Sequence, residues 1–138
     1  MTSPIIIIDD DEDDLYLVKE AFISLKVENE IITFSDGFKF LEYIKKTDKK
    51  SFFILCDINM GSINGLELKK IILDDERLRL KCIPFLFWST SKASPDIIKA
   101  YSYNAQGYFI KPVGVEKLND MLLSIVHYWN YSQHPDFV

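Results

Sequence analysis

The sequence lacks the features that mark membrane, secreted and metal-thiolate proteins. Its two cysteines, Cys56 and Cys82, lie in apolar runs and not at a metal-ligand spacing, so we interpret both as thiols of the core. Its apolar runs are too short to cross a bilayer, and the first of them follows no basic segment. We therefore expect a cytoplasmic protein with no signal peptide and no membrane partner.

Positive charge is scarce as well. The sequence has 16 Lys and Arg residues against 21 Asp and Glu residues, which gives a net charge of −5. A nucleic-acid interface needs basic residues clustered on one face, whereas the lysines at positions 45, 46, 49 and 50 fit a solvated helix end and loop. We expect no nucleic-acid partner.

Apolar strands and amphipathic helices alternate along the chain. The first predicted strand runs from Pro4 to Asp9, and its four consecutive isoleucines are typical of a strand that is covered on both faces. Further runs of this kind lie at 30–34, 52–56, 83–88 and 108–110. Between them apolar residues recur at helical spacing, most clearly from Leu118 to Trp129. The pattern predicts an α/β protein of five βα units, with a parallel sheet and helices on both of its faces.

One domain accounts for the whole sequence. A chain of 138 residues, 48% of them hydrophobic, can bury one core, and no linker or repeat divides it. We expect a single domain over 1–138, with its core at about 4–130, a C-terminal tail at 131–138 and no output domain. Tyr128, Tyr131 and Phe137 are candidates for an exposed contact surface, with a frayed helix end as the alternative.

Charged and hydroxyl side chains follow the strands. Ligands of open parallel sheets bind beyond the carboxyl ends of the strands, and neighbouring strands lie about 4.8 Å apart. In chain order the strand ends carry Asp9 and Asp10, then Asp57, then Ser89 and Thr90, then Lys111 and Pro112. We therefore expect three carboxylates, a hydroxyl and an ammonium to converge at one edge of the sheet.

The repulsion among six consecutive acidic residues, at 9–14, must be offset by other interactions. Those at 11–14 fit the N-cap and first turn of a helix, where the macrodipole favours anions by roughly 0.3 to 1 kcal/mol each. Asp9 and Asp10 instead leave a buried strand and face Asp57, so without a cation their pKa values would rise and their charge would be lost. Oxygen ligands in small number suit Mg²⁺.

Five motifs in this order resemble those of one family. They are the acidic pair Asp9-Asp10, "ILCDINM" around Asp57, "GSINGLEL" with Gly65, "FLFWSTS" with Ser89, and "GYFIKP" with Tyr108 and Lys111. Over roughly residues 4–130 the chain is similar to the receiver domain of two-component response regulators. The segment "DDERLRLKCIP" is also similar to that of small stand-alone regulators that partner bacterial phytochrome-type histidine kinases.

The resemblance implies a fold and a chemistry. The fold would be flavodoxin-like, (βα)5, with strand order 2-1-3-4-5. Mg²⁺, or Mn²⁺ in its place, would bind Asp10, Asp57 and the backbone carbonyl of Asn59 directly, and Asp9 largely through water. Asp57 would be the phosphoacceptor, a nucleophile that takes a phosphoryl group from a phosphohistidine. Lys111 would pair with one phosphoryl oxygen.

The resemblance also implies a switch and partners. Ser89 would hydrogen-bond the phosphoryl group, Tyr108 would turn inward, and the surface of the fourth helix, fifth strand and fifth helix would be remodelled. The partners would be a histidine kinase or a histidine phosphotransfer protein, and a downstream protein target. Dimerisation through the face of the fourth and fifth helices is a further expectation. The protein would not be a turnover enzyme.

The sequence departs from the family at several positions. Gly61 stands where proline is usual, so we expect a looser loop after Asp57. Thr90 replaces a small residue, and Ser91 is too short to position a water, so we expect slow self-dephosphorylation. Pro112 could follow the strand in trans, whereas the family expectation is a cis peptide bond that re-aims Lys111 into the site.

Two alternatives from other classes stay open. A pseudo-receiver would bind partners without phosphorylation, but it would lack an acidic, lysine or hydroxyl position, and none is lost here. The second alternative is an enzyme on the same architecture, such as a flavin carrier or a Mg²⁺-dependent phosphatase. A flavin carrier would need a phosphate-binding loop where the acids at 9–14 stand. A Mg²⁺-dependent phosphatase would need a general acid close after its nucleophile, where Asn59 stands.

Overall fold

The computed structural model describes residues 2–135. Five strands form one parallel sheet in the order β2-β1-β3-β4-β5. The strands are β1 Ile5–Ile8, β2 Ile31–Phe34, β3 Phe53–Cys56, β4 Phe85–Ser89 and β5 Gly107–Ile110. The predicted fold class and strand order are confirmed.

The helices pack on both faces of this sheet. They are α1 Glu12–Ser24, α2 Gly37–Lys46, α3 Gly65–Asp74, α4 Glu76–Lys81, α5 Ser94–Ser102 and α6 Val115–Tyr131. The crossover between β3 and β4 carries one helix more than a five-unit repeat predicts. Asp75 divides it, because its backbone is extended and its carboxylate accepts the N–H groups of Arg77 and Leu78 at the start of α4. The predicted fourth and fifth helices are therefore α5 and α6.

Alternate strand residues pack into two separate hydrophobic clusters, one on each face of the sheet. Ile5 and Ile7 pack with α1 and α6, and Ile6 and Ile8 pack with α2 and α3, all four without solvent exposure. Both thiols are free and buried, as predicted for core cysteines. Burial raises the pKa of Cys82 to about 12.

The register of the central strands aligns their carboxyl ends. Ile8 pairs with Cys56, which pairs in turn with Phe87, so the residues that follow these strands emerge side by side. The Asp57 N–H donates to the Ile8 carbonyl, and the Lys111 N–H donates to the Ser89 carbonyl. The backbone thus brings the four predicted strand ends to one edge.

None of the helices within residues 2–135 is both long enough and apolar enough to span a bilayer.

Tyr128 and Tyr131, at the end of α6, are largely exposed, as predicted for the aromatic surface near the C-terminus. His134 folds back onto the sheet, with its Nε2 2.6 Å from the Phe52 carbonyl oxygen and its ring stacked on that of Phe52. Phe137 lies outside the described residues.

Candidate functional site

Three carboxylates converge at the carboxyl edge of the sheet. Asp9 follows β1 with no exposed surface, Asp57 follows β3 with 6% exposed, and Asp10 is exposed beside them. One oxygen from each lies within 4.8 Å of the others. Sequence and topology place these residues as predicted, because parallel neighbours end at the same edge.

Lys111 reaches into this cluster from the end of β5. Its Nζ lies 2.9 Å from Asp9 Oδ2, 3.0 Å from Asp57 Oδ2 and 2.7 Å from Asp14 Oδ2. It also lies 4.8 Å from the centre of the Trp88 ring. Burial by itself lowers the pKa of the Lys111 ammonium, but the three carboxylates outweigh it and hold that pKa above its ordinary value. The lysine is a fixed positive charge.

Asp14 is a residue of the site that was not predicted from the sequence. Its position was predicted to be a solvated first turn, and α1 does begin at Glu12 with Asp11 as N-cap. However, Asp14 faces the sheet edge and is only 26% exposed in its side chain. The available signal was its place directly before buried Leu15, on the turn of α1 that follows Asp10.

Asp9 has one oxygen that the protein does not fully satisfy. Its Oδ1 accepts the Asp11 N–H at 2.9 Å, whereas its buried Oδ2 touches Lys111 without receiving a hydrogen bond of good angle. Burial raises the pKa of Asp9 from 3.8 to about 6, against the lowering effect of the Asp11 N–H and Lys111. A buried oxygen with spare capacity in an all-oxygen cluster fits a hard divalent cation.

Asp10 is oriented by the loop that follows Asp57. Its Oδ2 accepts the N–H of Gly61 at 3.0 Å, across 51 positions of sequence. A proline at position 61 has no N–H and could not make this bond. The departure from the family pattern, which predicted a looser loop, therefore gives this loop a specific attachment to the acidic cluster.

The same loop closes tightly on the backbone of Asp57. The Asn59 N–H donates to Asp57 Oδ1 at 3.4 Å, and the Gly65 N–H donates to the Ile58 carbonyl at 2.8 Å. A Cβ at Gly65 would lie 2.1 Å from the Asp57 carbonyl oxygen, which no side chain allows. The start of α3 thus packs directly on the residue that follows β3.

The predicted hydroxyl residue ends β4, and the predicted aromatic residue lies in β5 and contacts the β4–α5 loop. Ser89 is fully buried, and its Oγ accepts the Ser91 N–H at 3.1 Å. The Tyr108 hydroxyl donates to the Ser91 carbonyl at 2.8 Å, and its half-buried ring packs beside Phe87. Thr90 is exposed.

The expectation of a cis bond before Pro112 is wrong. Within residues 2–135 the cis peptide bond is Ile83–Pro84, and Lys111–Pro112 is trans. The lysine needs no such bond to reach the site, because its backbone is paired with Ser89 at the end of β4 and its long side chain spans the remaining distance.

An acidic cluster with a lysine, at the carboxyl edge of a 2-1-3-4-5 sheet, is the arrangement expected of a receiver domain. A sequence profile described as response regulator receiver domain matches residues 5–123 of this chain. The chain belongs to this family, and the predicted resemblance is confirmed.

Individual relatives agree with this assignment. The probable methanogenesis regulatory protein FilR2 of Methanothrix harundinacea is 29% identical over 129 residues, covering 91% of this chain and 82% of that protein. Response regulator Rcp1 of Synechocystis is 25% identical over 130 residues, covering 91% and 87% of the two chains. These proteins are matched over most of their length.

Solved structures match the fold closely. The phosphorylated cyanobacterial phytochrome response regulator RcpA superposes with a TM-score of 0.88 at 25% identity, covering 99% of this chain and 100% of that one. The Mn²⁺-bound form of Rcp1 superposes with a TM-score of 0.84 at 23% identity, covering 98% and 100%. The chain is therefore related to phytochrome response regulators.

Proposed function

We propose that the protein is a phosphorylation switch in which Asp57 accepts a phosphoryl group from a phosphohistidine. The observation that carries this proposal is the contact of Lys111 with Asp57 beside a buried Asp9 oxygen that has spare capacity. In the transfer, the N–P bond of the phosphohistidine breaks, a bond forms between phosphorus and an Asp57 oxygen, and the electron pair returns to the imidazole. The reaction needs positioning and charge neutralisation more than covalent help.

A divalent cation, Mg²⁺ or Mn²⁺, is the expected cofactor. The residues that would hold it are Asp10 and Asp57, with the Asn59 carbonyl as a third ligand and Asp9 acting through water. When bound, the cation would neutralise charge on the carboxylates and on the phosphoryl oxygens. The orientation of Asp10 by Gly61 and the oxygen-only donor set support this assignment.

Lys111 and Ser89 would receive the transferred group. Lys111 carries a fixed charge next to Asp57, so it would pair with a phosphoryl oxygen in place of one of its carboxylate contacts. Ser89 would donate its hydroxyl to another oxygen. The added charge of about two units would then bias the β4–α5 loop and Tyr108, and with them the face formed by α5, β5 and α6.

The signal would pass between proteins in the cytoplasm. We propose a histidine kinase or histidine phosphotransfer protein as donor, and a downstream protein as target of the α5–β5–α6 face, where copies of the chain would also pair. The relation to phytochrome response regulators supports a kinase partner. The protein would act on itself and would not turn over a substrate.

Loss of the phosphoryl group would be slow. A short side chain two positions after Ser89 offers little help to an attacking water, and the Ser91 hydroxyl is already engaged with Asp96 at 2.6 Å. A half-life of seconds for the phosphorylated protein would contradict this part of the proposal.

The test is phosphorylation by acetyl phosphate, read by intact mass. We expect the wild-type protein to gain one phosphoryl group only when Mg²⁺ is present, and Asp57→Asn to gain none. Asp13→Asn, an exposed acid of the same helix turn as Asp14, is the matched control and should behave as wild type. Binding of a kinase without any phosphoryl uptake would favour the pseudo-receiver alternative.

A further inference from the structure

Ser91 contacts Ser89, Tyr108 and Asp96 through three different groups. Its N–H donates to Ser89 Oγ at 3.1 Å, and its carbonyl accepts the Tyr108 hydroxyl at 2.8 Å. Its own hydroxyl donates to Asp96 Oδ2 at 2.6 Å and accepts the Ala93 N–H at 3.3 Å. The two bonds to the switch residues use backbone atoms, whereas the bond to Asp96 depends on the side chain.

Asp96 belongs to the first turn of α5. The N-cap of α5 is Ala93, which has no side chain able to cap the helix. Asp96 and Ser91 are half-buried, and their contact at 2.6 Å is the shortest of those that Ser91 makes. Since a hydroxyl-to-carboxylate bond is charge-assisted, this bond is a strong side-chain attachment between the β4–α5 loop and α5.

We infer that Ser91 and Asp96 are positioning residues that hold Ser89 ready for the phosphoryl group on Asp57 and connect that event to α5. The inference rests on the proposed function. The Ser91 N–H occupies an acceptor position of Ser89 Oγ, so the hydroxyl proton of Ser89 remains free to be donated. The Asp96 bond fixes Ser91, and through it the direction in which Ser89 donates.

The link also explains how movement would spread. If Ser89 shifts toward a phosphoryl group, the Ser91 backbone moves with it, because it is bonded to Ser89 Oγ. That movement reaches Tyr108 through the Ser91 carbonyl and α5 through Asp96. One residue therefore ties the hydroxyl at the site to both the aromatic residue and the helix of the proposed signalling face.

The experiment measures the rate of Asp57 phosphorylation by acetyl phosphate at saturating Mg²⁺. Ser91→Ala and Asp96→Ala should each slow it by about three- to tenfold, the value of one oriented hydrogen bond. The double variant should be no slower than the slower single variant, because both changes remove the same bond. Ser91→Thr keeps the hydroxyl and should restore the rate.

Two further measurements distinguish the positioning role of Ser91 from a purely structural role. Mg²⁺ affinity should stay at its wild-type value in Ser91→Ala, and the protein should remain folded at the assay temperature, although its unfolding midpoint falls with the loss of the bond to Asp96. Ser102→Ala removes a hydroxyl from α5 whose bond goes to the Lys99 carbonyl, and it should leave the rate unchanged. Wild-type rates in both single variants, or a double variant slowed by the product of the two effects, would overturn the inference alone. A wild-type protein that takes up no phosphoryl group would overturn the proposed function and this inference with it.

Discussion

The ammonium of Lys111 lies 2.7 Å from the Asp14 carboxylate, closer than it lies to Asp9 or Asp57. This contact crosses 97 positions of sequence and attaches the first turn of α1 to the end of β5. Lys111 therefore has an alternative partner outside the three strand ends. Release of Asp14 is the step that would leave the lysine free for a phosphoryl oxygen.

Asp14→Asn should weaken this attachment. An amide can still accept a hydrogen bond from Lys111, but the bond is no longer between opposite charges, so its contribution falls. In metal-free buffer we expect the free energy of unfolding to drop by about 1 kcal/mol more than in Asp13→Asn, where only an exposed charge of the same turn is removed. Urea unfolding of both variants measures the difference, and equal losses would show that the Lys111 contact adds no stability.

The strand ends were predictable because of topology. Once strands are parallel, Asp9, Asp57 and Ser89 must emerge at one edge, whatever the packing of the helices around them. Asp14 was not predictable in the same way, since its direction depends on how α1 rotates against the sheet. Charge does not separate the one that faces inward within a run of six acids, and the place of Asp14 directly before Leu15 was the one sign in the sequence.

The two errors of detail have a similar origin. The division of the β3–β4 crossover into α3 and α4 depends on a local choice at Asp75, whose side chain caps α4 while its backbone ends α3. The Lys111–Pro112 bond is trans, an isomer that the surrounding structure selects. Neither leaves a pattern in a single sequence.

Asp9 should make the metal-free protein less stable as the pH rises from about 4 to about 6. Burial raises its pKa from 3.8 to about 6, so in this range the folded protein holds a proton that the unfolded chain has released. The penalty is complete above about pH 6 and is on the order of 2 to 3 kcal/mol. Asp9→Asn should therefore be more stable than wild type at pH 7 in EDTA, with the difference vanishing near pH 4. Urea unfolding across this range measures it.

The raised pKa of Asp9 also determines how Mg²⁺ affinity should change with pH. Protonated Asp9 must lose its proton to favour a cation, so Mg²⁺ affinity should fall as the pH decreases below about 6. Asp9→Asn should bind Mg²⁺ more weakly than wild type but with less pH dependence between 4 and 6. A variant with the wild-type pH profile would assign the titration to another group.

Gly61, in the loop after Asp57, and Gly65, at the start of α3, should differ in their response to the same substitution. A Cβ at Gly65 would meet the Asp57 carbonyl oxygen at 2.1 Å, whereas a Cβ at Gly61 would meet only Asp10 Oδ2, at 3.8 Å. Gly65→Ala forces backbone apart and should cost about 2 to 3 kcal/mol of folding free energy. Gly61→Ala should stay within about 0.5 kcal/mol of wild type. Urea unfolding of the pair gives the comparison, and similar values would contradict the close packing of α3 on Asp57.

Gly61 should also contribute to metal binding through its backbone N–H rather than through its lack of a side chain. Gly61→Ala keeps the N–H that holds Asp10 Oδ2, so its Mg²⁺ affinity should equal that of wild type. Gly61→Pro removes the donor, and a less oriented Asp10 should weaken Mg²⁺ binding by about three- to tenfold. Titration of Mg²⁺ followed by tryptophan emission measures both variants, because Lys111 contacts the Trp88 ring and the acidic cluster at once. If Gly61→Ala and Gly61→Pro lose affinity equally, flexibility of the loop, and not the hydrogen bond, is what Gly61 supplies.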